Sequence, residues 1–186
     1  TSQTGKVLIH SLKLVKPKML MIGAELAEAF QAVRADLNVP DESYFWWDDI
    51  DSYNHKDDTN PTPDGMTSIG PAIHKHSIEC PITSTNIFLK DPLFYLFTSG
   101  TTGMPKAVVI NHGRWMKAYG FFGHFFNLNK NDTLYVTLPL YHATAMIVCW
   151  SCVIAGGGSF ALQRKFSASN FWHDIKKFEA TSFGYV

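Results

Sequence analysis

The stretch FTSGTTGMPK, residues 97–106, decides how this chain is read. It packs two glycines, four hydroxyl side chains and a lysine into ten residues. Glycines let a backbone come close to an anion, and successive N–H groups cradle phosphate oxygens. Thr98, Ser99, Thr101 and Thr102 add hydroxyl donors, and Lys106 adds a positive charge at the exit. The combination predicts a loop that holds a polyphosphate. It is not the ordinary P-loop, G-x-x-x-x-G-K-[ST], which opens a helix. Counted from Gly100, the second required glycine falls on Pro105 and the hydroxyl after the lysine falls on Ala107. The β-branched AVVI that follows predicts a strand. SQTGK, residues 2–6, is a weaker decoy without the first glycine or a final Ser or Thr.

Working outward, LFYLF enters the loop as a strand and AVVI leaves it as one. HGRWMKAYGFFGHFFN then reads as a helix, DTLYVTL as a strand, ATAMIVCWSCVIA as a helix and GSFALQ as a strand. SASNFWHDIKKFEA reads as a helix opened by a serine cap, and TSFGYV as a strand. Before the loop, VLIHSLKLVK and AELAEAFQAVRADL have apolar residues at helical spacing, while KMLMIG and SYFWW are strand-like. Between them and the loop lies a long polar segment, about 48–92, whose NPTPDG is turn chemistry. Strands alternate with helices over short links. The predicted class is α/β, layered, with a mainly parallel sheet flanked by helices.

The bulk properties fit one compact domain or a large piece of one. Of 186 residues, 46% are hydrophobic and 17% charged, as in a folded domain. Sixteen basic and sixteen acidic residues cancel, so no basic excess points to nucleic acid as a partner. Cys80, Cys149 and Cys152 are an odd set behind no signal peptide, and a reducing compartment is expected. Cys149 and Cys152 form a C-x-x-C inside an apolar run, with no second ligand pair for zinc; buried core cysteines are the favoured reading. Asp48, Asp49, Asp51, Asp57 and Asp58 match no calcium-loop spacing and read as a solvated acidic loop, as His74 and His76 read as loop histidines. The longest apolar stretch, Ala143–Ala155, is shorter than the ~20 residues of a membrane-spanning helix and reads as a buried one.

FTSGTTGMPKAVV resembles the signature loop of the adenylate-forming superfamily: acyl-CoA synthetases, luciferases and peptide-synthetase adenylation domains. Its common form is [YF]-T-S-G-T-T-G-x-P-K-G. Ala107 in place of the last glycine resembles the fatty acid transport protein branch, which comprises very-long-chain and related long-chain acyl-CoA synthetases. LPLYHATA (138–145) is similar to that branch's L-P-L-Y-H segment, with ATA departing from the more familiar SAG. KFSASNFWHDI (165–175) is similar to its K-F-S-A-S-x-F-W segment, and IHSL (9–12) resembles a further short stretch.

The resemblance implies an ATP-dependent long-chain or very-long-chain fatty acid:CoA ligase working through an acyl-adenylate, with ATP, Mg2+ and coenzyme A. Carried over by position, Thr98, Ser99, Gly100, Thr101, Thr102, Gly103 and Lys106 hold the β- and γ-phosphates, and Thr98 also reaches the magnesium ion. Tyr141 and His142 border the acyl and adenylate site. His142 either donates to the reacting carboxylate, shapes the pocket, or is a buried histidine capping the next helix. That helix either walls an acyl tunnel or is plain core. The resemblance also implies that residues 1–186 are a central fragment of the large N-terminal AMP-binding domain. Its C-terminal domain, magnesium-binding glutamate and ribose-binding aspartate are expected beyond Val186, and the fragment alone is expected not to catalyse. The alternatives are a ligase for a smaller acid such as a carnitine-related carboxylate, a membrane-associated fatty acid uptake protein, and a free-standing nucleotide-binding module. The expected location is cytoplasmic, with peripheral membrane association as the uptake variant.

Overall fold

The computed structural model describes residues 3–37, 39–40, 43–47, 62–73, 75–81, 86–98, 103–163 and 165–186. The chain divides into two compact units, Thr1–Ser84 with Thr98–Ala107, and Thr85–Phe97 with Val108–Val186. Parallel pairing is present as expected, and among the described residues it is distributed over small sheets.

In the first unit, helix α1 (Gly5–Val15) precedes strand β1 (Leu20–Gly23). A short 3-10 turn (Ala24–Leu26) leads into α2 (Ala27–Arg34), so the helix expected to begin at Ala24 tightens in its first turn. Strand β2 (Tyr44–Trp47) pairs in parallel with β1, placing Leu20 beside Tyr44. Ile22, Phe30, Val33, Leu37, Tyr44 and Trp46 form the core, against which α1 lays Leu8, Ile9 and Leu12. Phe30 meets Tyr44 edge to face at 5.2 Å between centroids, and the Arg34 guanidinium carbon lies over the Tyr44 ring, 5.1 Å from its centroid.

The polar segment hides two elements. Strand β3 (Thr67–Ser68) pairs in parallel with β2, and α3 (Ile69–Ile73) follows it. Composition conceals them because β3 is two residues of Thr and Ser and α3 contains Gly and Pro. Arg34 anchors the approach by donating to the Asp64 carbonyl at 2.7 Å. The acidic residues Asp48, Asp49, Asp51, Asp57 and Asp58, and His74, lie outside the described residues.

Strands β4 (Pro92–Thr98) and β5 (Lys106–Asn111) pair as a two-stranded sheet, of which residues 92–97 and 108–111 belong to the second unit. Helix α4 (His112–Phe126) starts where Asn111 accepts the Arg114 N–H at 2.7 Å, and ends at Asn127 in the left-handed region. Strand β6 (Thr133–Val136) is the centre of a parallel sheet, with β7 (Ser159–Leu162) on one side and β8 (Ser182–Gly184) on the other. The apolar run expected as one helix is a π-helix over Thr144–Cys149 continuing as α5 (Trp150–Gly156). The Trp150 N–H reaches back five residues to the Ala145 carbonyl, as π geometry requires. Ser151 is fully buried and its hydroxyl bonds back to the Ile147 carbonyl. Helix α6 (Phe171–Lys177) begins after Asn170, which makes no side-chain cap. The expected serine cap is absent because Ser167 and Ser169 lie in the preceding turn, their hydroxyls 2.9 Å apart.

Helices α4 and α5 touch so closely that a Cβ at Gly123 would overlap the Ala155 methyl. One polar pair sits in the core. The buried Tyr135 of β6 donates its hydroxyl to the buried Asp174 of α6 at 2.8 Å. That bond holds the Asp174 carboxyl below the ordinary carboxylate range against the opposing effect of burial, with His173 and Gln163 assisting. Burial first, then the bond and charge of Asp174, push the Tyr135 hydroxyl up from 10.0 to about 12.

Two predictions follow from this packing. Gly123→Ala overpacks the α4–α5 contact and lowers stability by about 1–3 kcal/mol in urea unfolding of the intact protein. The Asp174 contribution is present above the ordinary carboxylate range and is lost as pH falls through the lowered folded value; the Tyr135 contribution is complete below 10.0 and disappears toward about 12. Tyr135→Phe therefore lowers the melting temperature at neutral pH and moves the acid unfolding limb to higher pH, because Asp174 loses the donor that favours its charged form.

Candidate functional site

Strand β5 begins at Lys106, so the chain leaves the glycine-rich loop as a strand and not as a helix. This separates the loop structurally from the P-loop. Thr98 stands at the exposed end of β4 and Lys106 at the exposed start of β5, so the strand pair holds both ends of the loop. Leu96 and Ile110 are each buried and root the two strands. Ser99, Gly100, Thr101 and Thr102 lie outside the described residues.

Gly103 has φ +83, a left-handed value that costs a glycine little. A Cβ there would meet nothing within 4 Å, so the requirement for glycine is one of backbone conformation alone. Pro105 then restricts Met104 to extended geometry. The Pro105 carbonyl accepts a hydrogen bond from Nε2 of His10, on α1, at 3.0 Å. His10 is a contact that local sequence reading missed, since it lies 95 residues from its partner.

Tyr141 and His142 belong to the second unit, in the turn after β6. Thr137, just past β6, donates its hydroxyl to the Gly184 carbonyl at 2.7 Å, which ties this segment to the end of β8. Tyr141 is 60% exposed, so its ring is available to a ligand. The His142 N–H reaches the Pro139 carbonyl at 2.9 Å, and Nδ1 of its ring accepts the Thr144 N–H at 3.2 Å. His142 therefore caps the π-helix, one of the alternatives expected for it, but it is half-buried rather than buried. A ring whose Nδ1 is an acceptor carries its proton, when neutral, on Nε2. That nitrogen is thereby set as a donor.

The helix after His142 serves two purposes. Ala145, Cys149 and Val153 pack into the core with Leu134 and Val136. Thr144, Val148, Cys149 and Cys152 also wall an apolar cavity of about 240 Å³, together with Phe126 and Phe183. The core packing bears out the core reading of this helix, and the apolar cavity it lines is smaller than the ~300–1,000 Å³ of a drug-sized ligand pocket. Cys149 and Cys152 are buried and free, as expected for core cysteines. Burial raises both thiols, Cys152 to about 11 with Cys149 adding to the effect, which makes them poor nucleophiles. Among the described residues no cluster of His, Cys, Asp or Glu has the makings of a metal site, and no helix is long and apolar enough to cross a membrane.

Residues 2–186 match the family model for AMP-binding enzymes. The chain is 36% identical over 185 residues to a medium/long-chain-fatty-acid–CoA ligase, FadD6, of Mycobacterium tuberculosis, covering 99% of this chain and 28% of that protein. It is 35% identical to long-chain fatty acid transport protein 2 of Rattus norvegicus, over 98% of this chain and 28% of that one. It thus spans little more than a quarter of the length of these relatives. Among solved structures, the N-terminal domain of FACL13 from Mycobacterium tuberculosis superimposes with a TM-score of 0.76 at 20% identity, covering 98% of this chain and 41% of that one. The anthranilate CoA ligase AuaEII, solved with anthranoyl-AMP, gives 0.77 at 17% identity, over 98% and 33% of the two chains. The fold is the α/β fold of these domains.

Gly103→Ala places a side chain in the left-handed region and costs about 1–2 kcal/mol. Urea unfolding of the variant reads this cost directly, and a loss below ~0.3 kcal/mol would show that the backbone readjusts there freely.

Proposed function

The chain belongs to the AMP-binding enzyme family, and on that premise we propose that it is the central part of the large N-terminal domain of a long-chain or very-long-chain fatty acid:CoA ligase. The carrying observation is the loop 97–106 slung between paired strands, in a chain that aligns over nearly its whole length with a fatty-acid–CoA ligase. In the intact protein a fatty acid carboxylate attacks the α-phosphorus of ATP and pyrophosphate leaves. The thiol of coenzyme A then attacks the acyl carbon and AMP leaves.

Thr98, Ser99, Gly100, Thr101, Thr102, Gly103 and Lys106 hold the β- and γ-phosphates in this reading. Their work is positioning and charge stabilisation on the leaving pyrophosphate. The left-handed Gly103 supports it, since it lets the loop's exit turn without a side chain between backbone and anion. Mg2+ keeps most of its water and is held chiefly by substrate phosphates, so a single hydroxyl such as that of Thr98, exposed at a strand end, fits the modest protein share. His142 donates from Nε2 to the reacting carboxylate, a role supported by the Thr144 N–H engaging Nδ1. Tyr141 borders the acyl and adenylate site in this reading. The apolar cavity behind the π-helix supports an acyl rather than a polar substrate.

Pyrophosphate exchange into ATP by the intact protein, with fatty acids of graded length, tests the reading. Exchange requires a long acyl chain and falls by ~10²–10³-fold in Lys106→Ala, the scale for losing one charge-stabilising donor. Exchange supported by short polar acids and not by long ones would transfer the assignment to a smaller carboxylate. A second reading, a cytoplasmic protein that acts chiefly in uptake at a membrane surface, is favoured by the transport-protein name of the rat relative. Fatty acid uptake by cells that persists after Lys106→Ala has abolished exchange would make uptake the primary role.

A further inference from the structure

We propose that His10 is a positioning residue for the phosphate loop, acting by holding the Pro105 carbonyl and so fixing where Lys106 starts β5. The proposal rests on the ATP-dependent reading given above. Its observation is independent of that reading: His10 Nε2 lies 3.0 Å from the Pro105 oxygen, within one compact unit and partly shielded from solvent. A carbonyl only accepts, so the ring nitrogen donates.

The location of this bond makes it consequential. The exit of the loop turns at Gly103, whose left-handed backbone is also open to many other conformations. Pro105 has no N–H, so its carbonyl is the one main-chain hydrogen-bonding group by which that residue can be anchored. The residue after it is the loop's only lysine. Without the tether, a flexible glycine and an exposed strand end leave the ammonium group to sample a wide arc. With it, α1 becomes a fixed reference for the loop. Helix α1 is itself held through Leu8, Ile9 and Leu12, which pack against the core of the first unit. His10 sits between these anchors, half-buried, so its ring loses little further freedom on bonding.

The consequence is specific to one substrate. A loosened loop weakens the hold on the phosphates and raises KM for ATP, while KM for the fatty acid is untouched. A merely structural role lowers the active fraction instead, reducing kcat with both KM values constant. Gln offers an amide N–H near the position of Nε2, whereas Ala offers none.

The test uses the intact protein carrying His10→Ala or His10→Gln. Expected for His10→Ala is a rise of about 10-fold in KM for ATP, with rescue to within ~3-fold by His10→Gln; the 10-fold figure is the scale of one net hydrogen bond. Hydrogen exchange of the peptide covering residues 103–107 provides a readout free of any catalytic assumption. It accelerates in His10→Ala and returns toward the parent rate in His10→Gln. Unchanged exchange in His10→Ala overturns the tether whatever the kinetics show. Accelerated exchange with a proportionate fall in kcat alone overturns the positioning role. If the parent exchanges no pyrophosphate, the functional reading fails, and the hydrogen-exchange comparison still decides whether His10 holds the loop.

Discussion

The second unit is organised around the hydrogen bond from Tyr135 to Asp174. A tyrosine at the centre of the middle strand buries a hydroxyl, and a buried hydroxyl without a partner is costly. Asp174 supplies the partner from α6, the helix that connects β7 to β8. Satisfying that one oxygen therefore fixes α6 against β6, and with it the two strands that flank β6. Phe171 and Phe178, at either end of α6, close over the same ring at 5.9 and 6.4 Å between centroids. The end of β6 is then set in place, and the turn bearing Tyr141 and His142 emerges from it. In open α/β sheets ligands bind beyond the carboxyl ends of the strands, and these two residues occupy such a position.

The loop is governed by a different constraint. The phosphate-holding role proposed for it calls for glycine and small hydroxyl residues, whose side chains offer little surface for packing. The strand pair β4–β5 restrains the ends through buried Leu96 and Ile110. On the exit side, His10 and Pro105 share the task with Gly103.

Much of this was legible in the sequence, for reasons that can be located. The alternation of strands and helices after Pro92 could be read because each apolar period changes cleanly at a turn. The strand after Lys106 could be read because AVVI is β-branched, and that reading joined Pro105 and Ala107 in excluding the P-loop. Capping by His142 was among the readings open at the start, and the Thr144 N–H makes that contact at Nδ1, while Nε2 carries the donor role proposed for it. Less visible were features whose cause lies in three dimensions. A π-helix and an α-helix have similar apolar spacing, so ATAMIVCWSCVIA does not reveal where the register widens. Strand β3 is two polar residues that pair only because β2 offers an edge. Ser167 and Ser169 look like caps, but they bond near each other in the turn and the helix begins later. His10 belongs to a four-residue resemblance and lies 95 residues from Pro105, so only folding brings out its contact.

The central claim is that a carboxylate oxygen attacks the α-phosphorus of a nucleotide held by residues 97–106. Transfer of isotope tests it most directly. The intact protein is supplied with a long-chain fatty acid labelled with heavy oxygen in its carboxylate, along with ATP and coenzyme A, and the AMP is examined by mass spectrometry. The account predicts one labelled oxygen in the AMP phosphate, because the thiol breaks the acyl carbon–oxygen bond and leaves that oxygen on phosphorus. Label in inorganic phosphate with ADP as co-product, or thioester formed beside unlabelled AMP, would contradict it.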